Sequence, residues 1–322
     1  MLGSVVVLLV IGITAGCSRN DAPDDSADGP GRRDRTSTPT SAVPAGTPST
    51  GCGTDPATES VEAPPGDAVV ALGDRSYRLG IPADYDRDRP VPLVMNLHGS
   101  GSNALEQTTY SEMAARAGER GWITVTPDAI GGKWELAPTG ADDEFLTAVF
   151  DQVTAGYCVD LDRVHLSGMS LGAWKAAATA CAHADRFASI ALVTVEVHPS
   201  DCPPMSVVAF HGTADTVVPY GEGADPGVVV TGPNAGLPGA RGNMAGWASA
   251  AGCGADPQVQ QIGSDVEHWT YPGCPDGRGV ELYSIEGGGH TWPGASIDIG
   301  PTTQTIDATD IALDWFEAHP RA

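Results

Sequence analysis

The chain has 322 residues and a formal net charge of −24 at pH 7, because 41 Asp and Glu residues outnumber 17 Lys and Arg residues. An excess of negative charge argues against binding to nucleic acid and against electrostatic docking to anionic lipid or acidic polymer. A neutral or weakly charged partner fits this composition better, and the 41% hydrophobic content is enough for a globular core.

The first 17 residues have the pattern of an export signal. An apolar run over 5–13 is too short to span a membrane and has the length of a signal-peptide core. It ends in Thr14-Ala15-Gly16-Cys17, which resembles a bacterial lipobox, so we predict lipidation at Cys17 and removal of the preceding residues. The expected location is extracellular, with a lipid anchor in the cell membrane; ordinary secretion with Cys17 incidental is the alternative.

Residues 18–51 differ in composition from the rest of the chain. They consist almost entirely of Asp, Pro, Ser, Thr, Gly, Ala and Arg, with no aromatic residue. A segment with so little to bury is predicted to be a disordered tether. The folded domain is therefore expected over 52–322.

Within 52–322, strand-like apolar runs alternate with helical patterns. In chain order we predict a hairpin over 69–81, strand 93–97, helix 105–120, strand 122–126, helix 143–156, strand 163–167, helix 171–181, strands 188–195 and 205–210, helix 242–251, strand 279–285 and helix 305–318. This alternation is typical of the α/β class, with a mostly parallel sheet covered by helices on both faces.

A candidate nucleophile lies between the strand over 163–167 and the helix that follows it. Gly168-Met169-Ser170-Leu171-Gly172 has the G-x-S-x-G pattern, which in a strand–turn–helix context forms a sharp turn that exposes the serine hydroxyl. Ser170 is therefore the predicted nucleophile of a covalent mechanism.

An acid and a base follow in the order that such a serine requires. Asp215 comes a few residues after the apolar run 205–210, and His290 lies in a glycine-rich loop after the strand 279–285. The order Ser, Asp, His predicts Asp215 as the acid and His290 as the base. Glu196, directly after the strand over 188–195, is the alternative acid.

Two backbone N–H groups are expected to stabilise the oxyanion of the tetrahedral intermediate. One belongs to Leu171, directly after the nucleophile. The other is assigned to Ser100, in the loop that follows the buried strand 93–97.

Several motifs together resemble the secreted polyhydroxybutyrate depolymerases and the related feruloyl and acetylxylan esterases of carbohydrate esterase family 1. The motifs are Leu97-His98-Gly99, Tyr157-Cys158-Val159-Asp160, Gly168 to Gly172, His211-Gly212-Thr213-Ala214-Asp215 and Gly287 to Gly294. The resemblance implies an α/β-hydrolase fold, hydrolysis of carboxylic esters without a cofactor, and catalytic roles for Ser170, Asp215 and His290.

Tryptophans near these loops are candidates for substrate contact. Trp134 and Trp292 are expected to form an apolar wall for an acyl or aromatic group, although either could pack the core instead.

Six cysteines remain after Cys17, and an even number in an exported protein suggests disulfides. We predict the pair Cys253–Cys274, which brackets a possible hairpin, and leave the other four unassigned. No two cysteines have C-x-x-C spacing, so a metal site is not expected.

The sequence thus predicts an extracellular serine esterase acting on short hydroxyalkanoate esters. The alternatives are a feruloyl or acetylxylan esterase and, in another class, a surface lipoprotein that binds polymer without cleaving it.

Overall fold

The computed structural model describes residues 46–54, 68–137, 139–221 and 238–321. The predicted signal segment, the lipidation site Cys17 and most of the predicted tether lie outside these residues.

Within the described residues, ten strands form one sheet in the order β1-β2-β4-β3-β5-β6-β7-β10-β9-β8. The strands are β1 (Ala68–Leu72), β2 (Arg75–Gly80), β3 (Val91–Leu97), β4 (Ile123–Pro127), β5 (Val159–Met169), β6 (Ser189–Val193), β7 (Ser206–Gly212), β8 (Gln258–Ile262), β9 (Val266–Thr270) and β10 (Val280–Ile285).

The six central strands, from β4 to β10 in the sheet order, are all parallel. An antiparallel hairpin closes each edge, β1–β2 on one side and β8–β9 on the other. The predicted mostly parallel sheet is confirmed. Because parallel strands present their carboxyl ends at one edge, the loops after β3, β5, β7 and β10 converge there.

The helices are α1 (Ala104–Ser111), α2 (Met113–Glu119), α3 (Ala141–Gly156), α4 (Leu171–Ala182), α5 (Gly239–Ala251) and α6 (Ala308–Ala318). The prediction of one helix over 105–120 was wrong. Glu112 adopts a left-handed conformation with φ of 53°, which interrupts the helical hydrogen bonding between α1 and α2.

Helices cover both faces of the sheet. Leu93, Met95 and Leu97 of β3 belong to the core cluster that α3, α4 and α5 pack against, whereas the intervening Val94 belongs to the cluster with α2 and α6. The side chains of a strand alternate between faces, so a strand buried on both sides reads as a continuous apolar run. Each fully buried Leu or Val contributes roughly 1.5–3 kcal/mol to stability.

The last residues of the predicted tether contact the folded domain. The Thr47 N–H donates to the Asp162 carboxylate at 2.9 Å, and the Ser49 hydroxyl donates to the Tyr157 carbonyl at 2.7 Å. Ser49 is buried. The segment 46–51 therefore belongs to the folded part of the chain.

Three disulfides link the six cysteines of this region: Cys52–Cys158, Cys181–Cys202 and Cys253–Cys274. The predicted pair Cys253–Cys274 is confirmed, and it brackets the β8–β9 hairpin. Cys52–Cys158 joins the segment 46–54 to the start of β5.

Among the described residues, no cluster of His, Cys, Asp and Glu has the arrangement of a metal site. In the same part of the chain, no helix combines the length and the apolar character that crossing a membrane requires.

Candidate active site

Ser170 occupies a sharp turn between β5 and α4. Its φ of 57° and ψ of −124° are unusual for a residue with a side chain and cost on the order of 1–3 kcal/mol. The surrounding structure maintains this conformation: the Ser170 N–H donates to the Val193 carbonyl at 2.9 Å, and the Ser170 carbonyl accepts from the Trp174 N–H at 3.1 Å.

The two glycines of the motif are required by close packing. A Cβ at Gly172 would lie 2.2 Å from the Leu97 carbonyl oxygen, and one at Gly168 would lie 2.5 Å from the Gly172 carbonyl carbon. Neither position has space for a side chain. The glycines thus bring α4 against the end of β3 and hold Ser170 at the carboxyl edge of the sheet.

Asp215 and His290 form a hydrogen bond of 2.7 Å between Oδ2 and Nδ1. The Asp215 side chain is fully buried, and its other oxygen, Oδ1, accepts from the N–H groups of Val217 and Val218 at 2.7 and 2.9 Å. Burial raises the pKa of Asp215, but hydrogen bonds from His211 and His290 and from the backbone outweigh it and hold this pKa well below its usual range. Asp215 is therefore an ionised acceptor that orients His290.

The alternative acid, Glu196, does not contact His290 in this arrangement. Its Oε2 atom bonds to His211 Nδ1 at 2.7 Å, and its Oε1 atom accepts from Asn243 Nδ2 at 3.2 Å. The structure brings His290 to Asp215 instead.

His211 is a fully buried histidine that bonds on both ring nitrogens. Burial lowers its pKa, but the carboxylates of Glu196 and Asp215 raise it to about 10.

The loop after β3 carries Ser100 to the same cavity as Ser170 and His290. Three hydrogen bonds fix it: Gly101 N–H to Gly132 carbonyl at 2.7 Å, Trp134 Nε1 to His98 carbonyl at 2.9 Å, and Ala129 N–H to His98 Nε2 at 3.0 Å. Since His98 Nε2 accepts, its Nδ1 carries the proton and donates to the Gly99 carbonyl, and burial lowers the pKa of this ring.

Leu171 is the first residue of α4, so its N–H has no acceptor within the helix. It lies directly after Ser170, at the positive end of the helix dipole, where negative charge is stabilised. Its place beside the nucleophile is compatible with the oxyanion role that the sequence predicts.

Ser170 and His290 line a cavity of about 460 Å³. Apolar or aromatic side chains form much of its wall: Leu105, Tyr110, Met169, Ile297 and Ile299. These residues come from α1, from the end of β5 and from the loop before α6, and apart from Met169 none of them lies in a sequence motif.

Neither predicted tryptophan lines this cavity. Trp134 and Trp292 are 4% and 1% exposed. The indole of Trp134 bonds to the His98 carbonyl, and that of Trp292 bonds to the Thr309 hydroxyl. Both tryptophans pack the structure around the site.

No family model matches the chain. Curated relatives include feruloyl esterase B of Piromyces equi, which is 30% identical over 67% of this chain, and the putative esterase NocK of Nocardia uniformis subsp. tsuyamanensis, which is 29% identical over 78%. The chain spans 42% of the length of the Piromyces protein and 81% of NocK. A probable feruloyl esterase C of Aspergillus niger is 28% identical over 56% of the chain and 67% of its own length.

Solved structures share the fold. An acetyl xylan esterase from Aspergillus awamori superposes with a TM-score of 0.56 at 15% identity, over 78% of this chain and 98% of that protein. Esterase 2 of Thermogutta terrifontis gives 0.52 at 16% identity, over 79% and 94%. The chain therefore has the α/β-hydrolase fold, and its resemblance to feruloyl and acetyl xylan esterases is confirmed.

Proposed function

We propose that this α/β-hydrolase, a relative of feruloyl esterases, hydrolyses carboxylic esters with Ser170 as nucleophile, His290 as base and Asp215 as the carboxylate that orients His290. The observation that carries the proposal is the hydrogen bond between the buried Asp215 carboxylate and His290, whose ring lines the same cavity as Ser170. This is the set of groups that a serine hydrolase needs.

In the proposed reaction, the Ser170 hydroxyl attacks the ester carbonyl carbon while His290 Nε2 takes its proton. The carbonyl oxygen becomes an oxyanion, which the N–H groups of Ser100 and Leu171 stabilise. The intermediate then breaks its bond to the alkoxide, which leaves with the proton from His290. Water, deprotonated by the same histidine, cleaves the acyl-enzyme and frees Ser170.

The walls of the cavity favour an apolar acyl group. Tyr110 and Met169 line the same cavity as Ser170 and can contact an aromatic ring. Curated relatives include a feruloyl esterase and a probable feruloyl esterase. We therefore place esters of hydroxycinnamic acids first among the candidate substrates. Acetyl esters of sugars are related candidates, because a similar structure is that of an acetyl xylan esterase.

A second candidate substrate class follows from the rim of the cavity. Leu105, Ile297 and Ile299 are 53%, 42% and 58% exposed and provide aliphatic surface for a short hydroxyalkanoate chain. Such esters are uncharged along their length, which suits the acidic protein.

We also propose an extracellular location for the folded domain, in agreement with its three disulfides. Anchoring through a lipid on Cys17, removal of residues 1–17 and a tether before the domain remain proposals from the sequence.

The test is hydrolysis of p-nitrophenyl butyrate, methyl ferulate and a 3-hydroxybutyrate trimer by the purified protein and by Ser170→Ala. We expect turnover of the first substrate, a loss on the order of 10⁴-fold or more in the variant, and a preference for ferulate over the trimer.

Ser167→Ala is the matched control: Ser167 lies three residues earlier in β5, and its buried hydroxyl has no hydrogen-bond partner among the described residues. Folded protein without turnover would contradict the proposal and favour non-catalytic binding of polymer.

A further inference from the structure

A buried pair of side chains, Glu196 and His211, adjoins the Asp215 oxygen that contacts His290. His211, the penultimate residue of β7, bonds through Nδ1 to Glu196 Oε2 at 2.7 Å, and its Nε2 lies 3.5 Å from Asp215 Oδ2. The side chains of His211 and Asp215 are fully buried, and that of Glu196 is 3% exposed. Glu196, His211, Asp215 and His290 thus form one continuous polar row.

The hydrogen bonds of His211 define its charge. Nδ1 faces a carboxylate oxygen, and Nε2 lies 2.9 Å from the Val218 carbonyl oxygen. Both partners are acceptors, whereas a neutral imidazole can donate from only one of its nitrogens. With Glu196 as a carboxylate, both contacts are satisfied by the imidazolium, and the raised pKa of His211 agrees with this.

Other groups around His211 are neutral or more distant. The Tyr220 ring packs edge-on against the imidazole, with 5.4 Å between ring centroids, and its hydroxyl bonds to Ser284 and Arg241. Asn243 on α5 donates to Glu196. The charges that face His211 directly are those of Glu196 and Asp215, and the half-exposed Arg241 is separated from it by Tyr220.

Stability alone is a weak explanation for this pair. A buried ion pair contributes little net stability compared with apolar residues of the same volume. Moreover, the turn after β7 has its own hydrogen bonds, from Val217 and Val218 to Asp215 Oδ1. The oxygen that His211 approaches is Oδ2, which also accepts from His290.

We propose that His211, kept protonated by Glu196, is a positioning residue for Asp215 and reduces the basicity of His290 through the shared oxygen Asp215 Oδ2. This inference rests on the proposed ester hydrolysis. The imidazolium offsets part of the negative charge that stabilises protonated His290, so His290 remains a neutral base at lower pH. The Glu196–His211 pair therefore extends activity to lower pH.

The test is the pH dependence of kcat/KM for His211→Gln and for the double variant Glu196→Gln/His211→Gln, which leaves no unpaired buried carboxylate. Glutamine can still donate to the Val218 carbonyl but carries no charge. Without the imidazolium, protonated His290 is favoured, so we expect the acid limb to move to higher pH by about one unit. The shift should be smaller in the double variant.

The control is His268→Gln, which breaks the 2.8 Å contact between His268 of β9 and Glu281 of β10 and should leave the acid limb unchanged. Lower activity with an unmoved acid limb, or a shift toward acid, would overturn the proposal and leave His211 as a packing residue. An inactive parent protein would instead contradict the proposed function.

A second measurement needs no variant activity. In ¹⁵N-histidine NMR spectra of the parent protein at about pH 8, both ring nitrogens of His211 should carry protons. A neutral His211 ring would overturn the proposal, whether or not the variants fold.

Discussion

At the scale of single residues, the site depends on groups held by the backbone as much as by one another. Ser170 keeps a positive φ through two backbone hydrogen bonds, and Asp215 keeps its orientation through the N–H groups of Val217 and Val218. Such fixed hydrogen bonds reduce the reorganisation that the reaction requires. The side chains can therefore be changed singly while their surroundings persist.

The first prediction concerns the identity of the acid. Asp215→Asn should lower kcat by about 10⁴-fold, because an amide in place of Oδ2 favours the wrong tautomer of His290. The turn should persist, since the amide oxygen can still accept from Val217 and Val218. Steady-state kinetics checks this, beside Glu196→Gln, for which we expect a much smaller loss; the reverse order would make Glu196 the acid.

Sequence motifs pointed to the candidate catalytic residues but not to most of those that form the cavity wall. Asp215 and His290 are joined as expected from their order along the chain. The wall residues Leu105 and Ile299 are ordinary aliphatic residues from distant segments, and only the tertiary structure brings them together. Trp134 was expected near a loop of the site, but its buried indole donates a hydrogen bond to the His98 carbonyl.

At the scale of elements, the turn from β5 to α4 determines the position of Ser170. The second prediction is that Gly172→Ala destabilises the protein by about 2 kcal/mol and lowers activity, since the added methyl group would meet the Leu97 carbonyl. Gly118→Ala in α2 is the matched control. A Cβ there meets nothing within 4 Å, so we expect a gain of about 0.5–1 kcal/mol.

Urea unfolding and esterase kinetics on both variants provide the measurement. Equal stability of Gly172→Ala and the parent would show that the turn from β5 to α4 can relax, which its close approach to β3 argues against.

Element boundaries were predictable where apolar periodicity was strong. The central strands are buried on both faces, so β3 and β7 read as apolar runs. The sequence did not predict β8. Gln258, Gln260 and Gln261 are exposed polar residues of this edge strand, so it lacks the alternation of apolar and polar residues that indicates a strand. The break at Glu112 was also missed, since nothing in the local pattern excludes a continuous helix there.

At the scale of the whole molecule, the disulfides close loops of very different length. Cys52–Cys158 closes a separation of 106 residues, whereas Cys253–Cys274 closes one of 21. The possible hairpin between Cys253 and Cys274 predicted that bridge alone, whereas Cys181–Cys202, with the same separation of 21 residues, has no such local signal. The long-range bridge depends on the segment 46–54 returning to the start of β5.

The third prediction follows from these loop lengths. Replacing both Cys52 and Cys158 by Ala should reduce the free energy of unfolding by about 1.4 kcal/mol more than replacing Cys253 and Cys274, because a longer closed loop restricts the unfolded chain more. Denaturant unfolding of the two double variants checks the order. A larger loss for Cys253 and Cys274 would show that local packing, and not chain entropy, dominates.

If the fold presents Ser170 as an activated nucleophile, a serine-directed reagent should label it covalently. The folded protein is treated with a fluorophosphonate, and the adduct is located by peptide mass spectrometry. We predict a single adduct on Ser170, absent from Ser170→Ala and retained in Ser167→Ala. A folded protein that remains unlabelled, or that carries the adduct on another residue, would show that Ser170 is not an activated nucleophile.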